Sequence, residues 1–269
     1  MLPLDITLLI ILGFLAGILA AMTGIGGGSF IVPALSLLYA FSSQEAVGTS
    51  LAVIVFTSIA STYAYYRQKR IDYKTGVVSA ATTTPGAILG AYMTTLISSN
   101  TLGIIFSLSM ILLALRMLFS EHVSLSKTKN NQKTSNRRLV DSSGRIFEYQ
   151  VNIFAAFFLA FFGGLLSGLL GIGGGALIVP ILNIAVGMPM HIAVATSMFT
   201  MIFTSIAGVI THIQLNNVRF EHSIYMALGI IIGTQIGAKI AKKVSGKTLS
   251  RVFGLTLIIV GIRLFLKFI

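Results

Sequence analysis

Two stretches of this chain, 6–44 and 149–218, contain no Asp, Glu, Lys or Arg. A hydrocarbon core about 30 Å thick takes roughly 20 residues of helix to cross, so each stretch predicts more than one passage through a bilayer. Dividing the apolar runs at their polar and turn positions predicts segments at 6–22, 28–41, 46–66, 77–97 and 102–119, then at 153–169, 175–188, 193–213, 224–244 and 249–266. The second segment of each set is short, since about fourteen residues of helix rise only about 21 Å. It is either one leg of a tilted pair or half of a re-entrant hairpin, and the count runs from six full spans to ten segments. The fold class expected is an all-α polytopic membrane protein.

The two sets are copies of each other. Gly24-Ile-Gly-Gly-Gly28 recurs 147 positions later as Gly171-Ile-Gly-Gly-Gly175, Ile31-Val-Pro33 as Ile178-Val-Pro180, Thr49-Ser50 as Thr196-Ser197, and Phe56 to Ala60 as Phe203 to Ala207. Between Leu12 and Ala60, 22 of 49 positions are identical at that offset, too many for shared composition alone. The chain therefore divides into a first transmembrane repeat (1–119), a basic linker (120–148) and a second transmembrane repeat (149–269).

Composition agrees, with a mean hydropathy of +0.92 and 10% charged residues against about a quarter in soluble domains. Charge placement then gives the orientation. Arg67, Lys69, Arg70 and Lys74 crowd one loop of the first repeat, where the second has only Arg219; Lys239, Lys242, Lys243, Lys247 and Arg251 crowd a turn of the second whose counterpart, 92–104, has no basic residue. By the positive-inside rule the 67–76 loop, the linker and the 239–251 turn are cytoplasmic. The halves are then inverted-topology repeats, and both termini lie outside. No basic region precedes Leu8, so a cleaved signal peptide is not expected.

The net charge of +12 does not point to nucleic acid, because the basic residues occupy short juxtamembrane loops without interleaved aromatics. The linker's Ser, Asn and Thr content predicts a solvated, mobile tether, with anionic lipid headgroups as an alternative contact.

Consecutive glycines inside hydrocarbon free backbone groups, each costing several kcal/mol unless it faces protein or a water-lined cavity. A helix restarting at Ser29 or Ala176 would offer unpaired N–H groups and a positive dipole end to an anion. The bland alternative is that the glycines only let helices pack closely. The motif lacks both the strand context of a dinucleotide fold and the Lys-Ser/Thr of a phosphate loop. The candidate substrate-binding residues are Gly24, Gly26, Gly27, Gly28, Ser29, Thr49 and Ser50, with Gly171, Gly173, Gly174, Gly175, Thr196 and Ser197 in the second half, and the in-segment amides Asn183 and Gln235. Each hydroxyl could instead bond its own helix four residues back, as could Thr57, Ser58, Thr204 and Ser205 two turns on. Leucine at Gly26, Gly27, Gly173 or Gly174 is expected to harm flux more than membrane insertion. Valine at Thr49 and Thr196 is expected to weaken anion affinity with normal expression.

Other chemistry is sparse. His191 and His212, with Gln44 and Tyr65 at their first-repeat positions, could titrate near neutral pH, although a locally bonded interfacial histidine is the commoner case. No carboxylate lies in the body of a segment, and Glu45 is the nearest candidate for a proton relay. Arg116 and Arg263 are expected to anchor helix ends at the interface. No cysteine, metal-ligand spacing, catalytic dyad or nucleotide loop is present, so no cofactor, metal or catalytic residue is expected.

The paired Gly-Ile-Gly-Gly-Gly-x-x-Ile-Val-Pro runs (24–33 and 171–180), the Ala-Val-x-Thr-Ser runs (46–50 and 193–197) and the basic loop resemble the sulfite exporter TauE/SafE family, also called the 4-toluene sulfonate uptake permease family. The resemblance covers the chain apart from 120–148. It implies a multi-pass carrier of the cytoplasmic membrane that moves a small anion, chiefly a sulfur oxyanion or short organosulfonate, by alternating access. An anion channel and, less favoured, an intramembrane enzyme are the competing readings. The coupling ion (proton or sodium), the direction and the oligomeric state stay open.

Overall fold

Side-chain caps start the helices where polar residues meet apolar runs. Ser42 and Glu45 form a reciprocal capping box, and Asp72 and Asn152 accept the amides of Thr75 and Ala155. The computed structural model describes residues 3–119 and 134–243 and, near the C-terminus, 255, 258–259, 261–263 and 265–269. Its elements are α1 (Pro3–Thr23), α2 (Gly28–Leu38), α3 (Ser43–Arg67), α4 (Tyr73–Met93), α5 (Ser99–Phe119), strands β1 (Thr134–Val140) and β2 (Ile146–Asn152), α6 (Ile153–Leu170), α7 (Gly175–Pro180) continuing into a π-helical turn (Ile181–Ala185), α8 (Met190–Gln214) and α9 (Phe220–Ala241). Five of the described helices, α1, α3, α6, α8 and α9, are long and apolar enough to cross a membrane. Helix α4 is as long as α1 but is diluted by Thr75, Ser79, Thr82, Thr83 and Thr84. The linker residues 120–133, the start of the last predicted segment with Lys247 and Arg251, and the Arg116 side chain lie outside the described residues.

Glycine ridges join the halves. A Cβ built on Gly13 would lie 2.1 Å from the Met226 carbonyl oxygen, and on Gly229, Gly233 and Gly237 within 2.0, 2.2 and 2.3 Å of the carbonyls of Ile10, Phe14 and Ile18. Residue numbers rise together on both sides, so α1 and α9 run the same way. The pair α4 and α6 repeats this packing: Gly90 would meet Leu165 O at 1.9 Å, Gly164 would meet Thr83 O at 2.1 Å, and Gly168 would meet Ala87 O at 2.0 Å. Helices α3 and α8 run oppositely. Gly48, early in α3, lies against Asn217 just beyond α8, while Thr196, early in α8, bonds Asp72 just beyond α3. Leucine at Gly90 is expected to prevent this assembly, because overpacking a tight contact costs about 1–3 kcal/mol or more. Loss of the folded peak in detergent size-exclusion chromatography would show it; an unchanged melting temperature would contradict the ridge.

The repeat is also written in the backbone. Left-handed φ values occur in pairs at the 147-residue offset: Gly24 and Gly171 (78°, 68°), Gly26 and Gly173 (89°, 70°), Gly27 and Gly174 (87°, 79°), Ala40 and Gly187 (54°, 91°), Lys69 and Asn216 (55°, 58°). Each pair marks the same turn in both halves.

One short hairpin departs from the otherwise helical architecture, and it replaces the solvated tether expected of the linker over 134–148. Residues 134–152 form an antiparallel hairpin, in register from Thr134 opposite Asn152 to Val140 opposite Ile146. Phe147, Tyr149 and Val151 alternate with Glu148 and Gln150. That period of two seats the apolar set against Ile178, Leu182, Val186, Met188 and Ile192, while Asp141-Ser-Ser-Gly144 supplies the turn.

Candidate functional site

At the end of α1 the Gly24 amide reaches back to Ala20 O (2.9 Å), and at the end of α6 the Gly171 amide reaches Ser167 O (2.9 Å). The chain then breaks and restarts. Gly27 O accepts the amides of Phe30 and Ile31 (2.9 and 3.0 Å), and Gly174 O those of Leu177 and Ile178 (3.0 and 2.8 Å). The half-helices thus begin at Gly28 and Gly175, where the predicted segments 28–41 and 175–188 start and one residue before Ser29 and Ala176. The leading amides, Gly28 and Ser29 in one half and Gly175 and Ala176 in the other, have no acceptor among the described residues. Helix starts leave such donors by construction.

The two breaks touch. A Cβ on Gly28 would lie 2.2 Å from Gly171 O, and one on Gly175 would lie 2.3 Å from Gly24 O. Ser50 Oγ donates to Gly171 O (2.7 Å), and Ser197 Oγ shares its proton between Gly24 O (3.1 Å) and Val194 O of its own helix (2.9 Å). Next to them, Thr49 Oγ1 accepts the amide of Arg219 (3.0 Å) and Thr196 Oγ1 that of Asp72 (3.0 Å). All four side chains are fully buried, and each satisfies a backbone group of the opposite half. Tyr65 Oη donates to Ala21 O, and His212 Nε2 lies 3.1 Å from Gly168 O, the equivalent carbonyl. The glycines, Ser50 and Ser197 are therefore brought together.

This geometry changes the expectation for valine at Thr49 and Thr196. Each substitution strands a backbone N–H at the start of α9 or α4, a loss of about 1–3 kcal/mol. A fall in thermal stability is now expected, whatever happens to affinity, and an unchanged melting temperature in the double variant would refute it.

Asn183 and Gln235 spend their amides elsewhere, on Met188 O (2.8 Å) and on Ala60 O of α3 (2.9 Å). Ser58 and Ser205 bond carbonyls of their own helices, as does Thr57 (3.2 Å to Val53 O). Thr204 also reaches Thr83 of α4 (2.8 Å). His191 packs near the Phe147 ring, Arg263 is exposed, and Glu45 accepts from Arg219 Nε at 3.0 Å. Among the described residues, no group of three His, Asp or Glu side chains could hold a metal.

Ser167 was not anticipated. Its hydroxyl is buried without a partner, and its Cβ lies 3.3 Å from where one on Gly174 would stand. The first half has Ala20 there, 3.4 Å from the Gly27 position, yet carries its own unpartnered buried hydroxyl on Ser29, where the second half has Ala176. Each break therefore holds one free hydroxyl, supplied from different positions. Reading the repeats for compensating Ser and Ala exchanges (Ala20/Ser167 and Ser29/Ala176) would have exposed the pair.

The Sulfite exporter TauE/SafE family model matches residues 9–264. The chain is 33% identical over 268 residues to "Probable membrane transporter protein YunE" of Bacillus subtilis (strain 168), covering 97% of both chains. It is 31% identical over 257 residues to a "Probable membrane transporter protein" of Methanocaldococcus jannaschii, covering 90% of this chain and 88% of the relative. It is 28% identical to YdhB of Bacillus subtilis, likewise a "Probable membrane transporter protein", over 96% of this chain and 99% of the relative. No solved structure matches it.

Proposed function

The chain belongs to the sulfite exporter TauE/SafE family and is a membrane transporter, and on that premise we propose a secondary carrier that holds a small anion where the two glycine breaks meet. The observation that carries this reading is the junction itself. It joins two helix starts with free amides, adds one free buried hydroxyl to each, and contains no carboxylate. Free N–H and O–H groups present partial positive charge to an anion without binding it so tightly that release is blocked. A sulfur oxyanion or short sulfonate suits such a compact, donor-rich junction, and a bulky aromatic sulfonate does not.

Support for inverted repeats comes from direction. The equivalent helices α3 and α8 are antiparallel, and each half's first helix packs parallel to the other half's fourth. Support for the sidedness comes from the α3–α4 turn, the hairpin and the end of α9 sharing one end of the molecule: Arg70 pairs with Asp141, and Gln68 Nε2 bonds Ala238 O (3.1 Å). These are the basic regions that the positive-inside rule places in the cytoplasm. Both termini then face outside, and the anion crosses by one repeat rocking on the other.

The test is flux into proteoliposomes of labelled sulfite, thiosulfate and short sulfonates under imposed proton, sodium and voltage gradients. Saturable uptake with mutual competition is expected, and the gradient that drives it names the coupling ion. Selective passage of a cation or neutral solute would defeat the proposal, and continuous single-channel current would convert it to a channel. Alanine at Ser29 and Ser167 together is expected to raise the half-saturating anion concentration about tenfold or more. A hydrogen bond to a charged group is worth about 1.5–3 kcal/mol, and no space is filled. Unchanged affinity in the folded double variant would remove these hydroxyls from the site.

A further inference from the structure

The hairpin ties one half of the molecule to the other at a single end. At its turn, Asp141 Oδ2 accepts from Arg70 Nε (3.2 Å) and Nη2 (2.7 Å), with both side chains at most 1% exposed. The Ser142 amide bonds Gln68 O (2.9 Å). Midway along, Tyr149 Oη donates to Asp72 Oδ2 (3.1 Å), and Arg137 Nε stands 3.7 Å from the same oxygen. At its base the Asn152 amide bonds Val186 O (3.1 Å), directly after the π-helical turn that ends the second half-helix. The first half's α3–α4 turn is thus fastened to the second half's re-entrant element.

Asp72 carries this attachment inward. Its own amide donates to Thr196 Oγ1 (3.0 Å), and the neighbouring Ser197 holds Gly24 O at the break. At the opposite end, the residue equivalent to Asp72 is Arg219, whose amide bonds Thr49 Oγ1 in the same way. There the side chain pairs with Glu45 among the described residues, and it is 58% exposed. An exposed ion pair holds weakly, whereas an enclosed pair resists loss of either partner. The two ends are built on one plan and fastened unequally.

We propose that the hairpin is the gate of its end of the carrier. It must leave Arg70 and Asp72 before the break opens toward that side, and Asp72 is the positioning residue that transmits its docking to Thr196. This rests on the alternating-access reading above.

The chain has no cysteine, which allows a direct test. Gln68→Cys with Ser142→Cys places two thiols across the docked turn while leaving Arg70 and Asp141 in place. Oxidation should suppress labelled thiosulfate or sulfite flux about tenfold or more, the effect of denying the carrier one of its two states, and reduction should restore it. Full flux in the cross-linked protein would overturn the gate.

A second readout needs no flux. In a Ser167→Cys background, Asp72→Asn with Tyr149→Phe should raise labelling by a membrane-impermeant maleimide about tenfold from the hairpin side, the population shift expected from losing one charged hydrogen bond. Labelling should not rise from the other side. No increase in folded protein would overturn the gate even if neither anion moves, which would count instead against the substrate assignment. Labelling of Gln68→Cys in inverted vesicles and in spheroplasts separately fixes which side the hairpin faces.

Discussion

Alanine at Gly28 is expected to abolish anion flux, and alanine at Gly175 to do the same. The added carbon would sit 2.2 Å from Gly171 O and 2.7 Å from Ile172 Cα in the first case, and 2.3 Å from Gly24 O in the second. Swinging either carbonyl aside would break the hydrogen bond that Ser50 or Ser197 donates to it. The half-helix must therefore retreat by most of an ångström or the halves must part. Overpacking of this kind costs about 1–3 kcal/mol in a core that can adjust, and displaced amides no longer converge on one anion. Flux should fall at least about a hundredfold, in keeping with the sensitivity of a preorganised site to 1 Å misplacement, with a lower melting temperature for each variant. Leucine at Gly27 or Gly174 should be worse, because their φ values of 87° and 79° already disfavour a side chain. Normal flux in folded Gly28→Ala protein would show that the breaks do not meet.

Arg70→Met is expected to undock the hairpin. Removing one partner of a buried ion pair leaves the other charge uncompensated, at a cost of about 3–5 kcal/mol. Replacing both, Arg70→Met with Asp141→Leu, should recover only part of it, since Asp141 also accepts the amides of Ser143 (2.7 Å) and Arg145 (3.0 Å). Hydrogen exchange should accelerate across 134–152 while α1 and α9 remain protected; uniform acceleration would mean global unfolding instead. Acid should act in the same place. Burial pushes the Asp141 carboxyl up, but the Arg70 side chain and the two amides outweigh it and hold the group below its usual value of 3.8. A carboxylate depressed on folding stabilises fully above its unfolded pKa and loses that contribution as pH falls through the folded value. Hairpin docking should therefore be constant above about pH 4 and weaken only below it. In Arg70→Met that acid-dependent loss should shrink.

Much of this was legible in the residues. The doubled glycine run and the helix restarts follow from spacing, and the proposal that the halves are inverted starts from where Lys and Arg collect. The extents agree too, since 46–66 is α3 at Ser43–Arg67 and 193–213 is α8 at Met190–Gln214. What sequence could not supply was partnership. Ser50 bonds a carbonyl 121 positions away and Ser197 one 173 positions away, so neither repeat, read alone, distinguishes a substrate hydroxyl from a structural one. The hairpin was concealed by composition: Phe147, Tyr149 and Val151 alternate over only five residues inside a run of Ser, Asn and Arg. The glycines of α1, α4, α6 and α9 follow four-residue spacings that weigh as much as the conspicuous motif, but they are scattered among ordinary apolar residues.

The glycine ridges also bear on ancestry. The closest backbone contacts described for α1 are with α9, and those for α4 are with α6, so a half-length polypeptide would leave two grooved faces without a counterpart. On the inverted-repeat proposal, a forebear of that size would work as two copies inserted in opposite senses, each lending the other its fourth helix. Separate expression of 1–119 and 134–269 from two cistrons should accordingly rebuild a working transporter, whereas either fragment alone should be degraded.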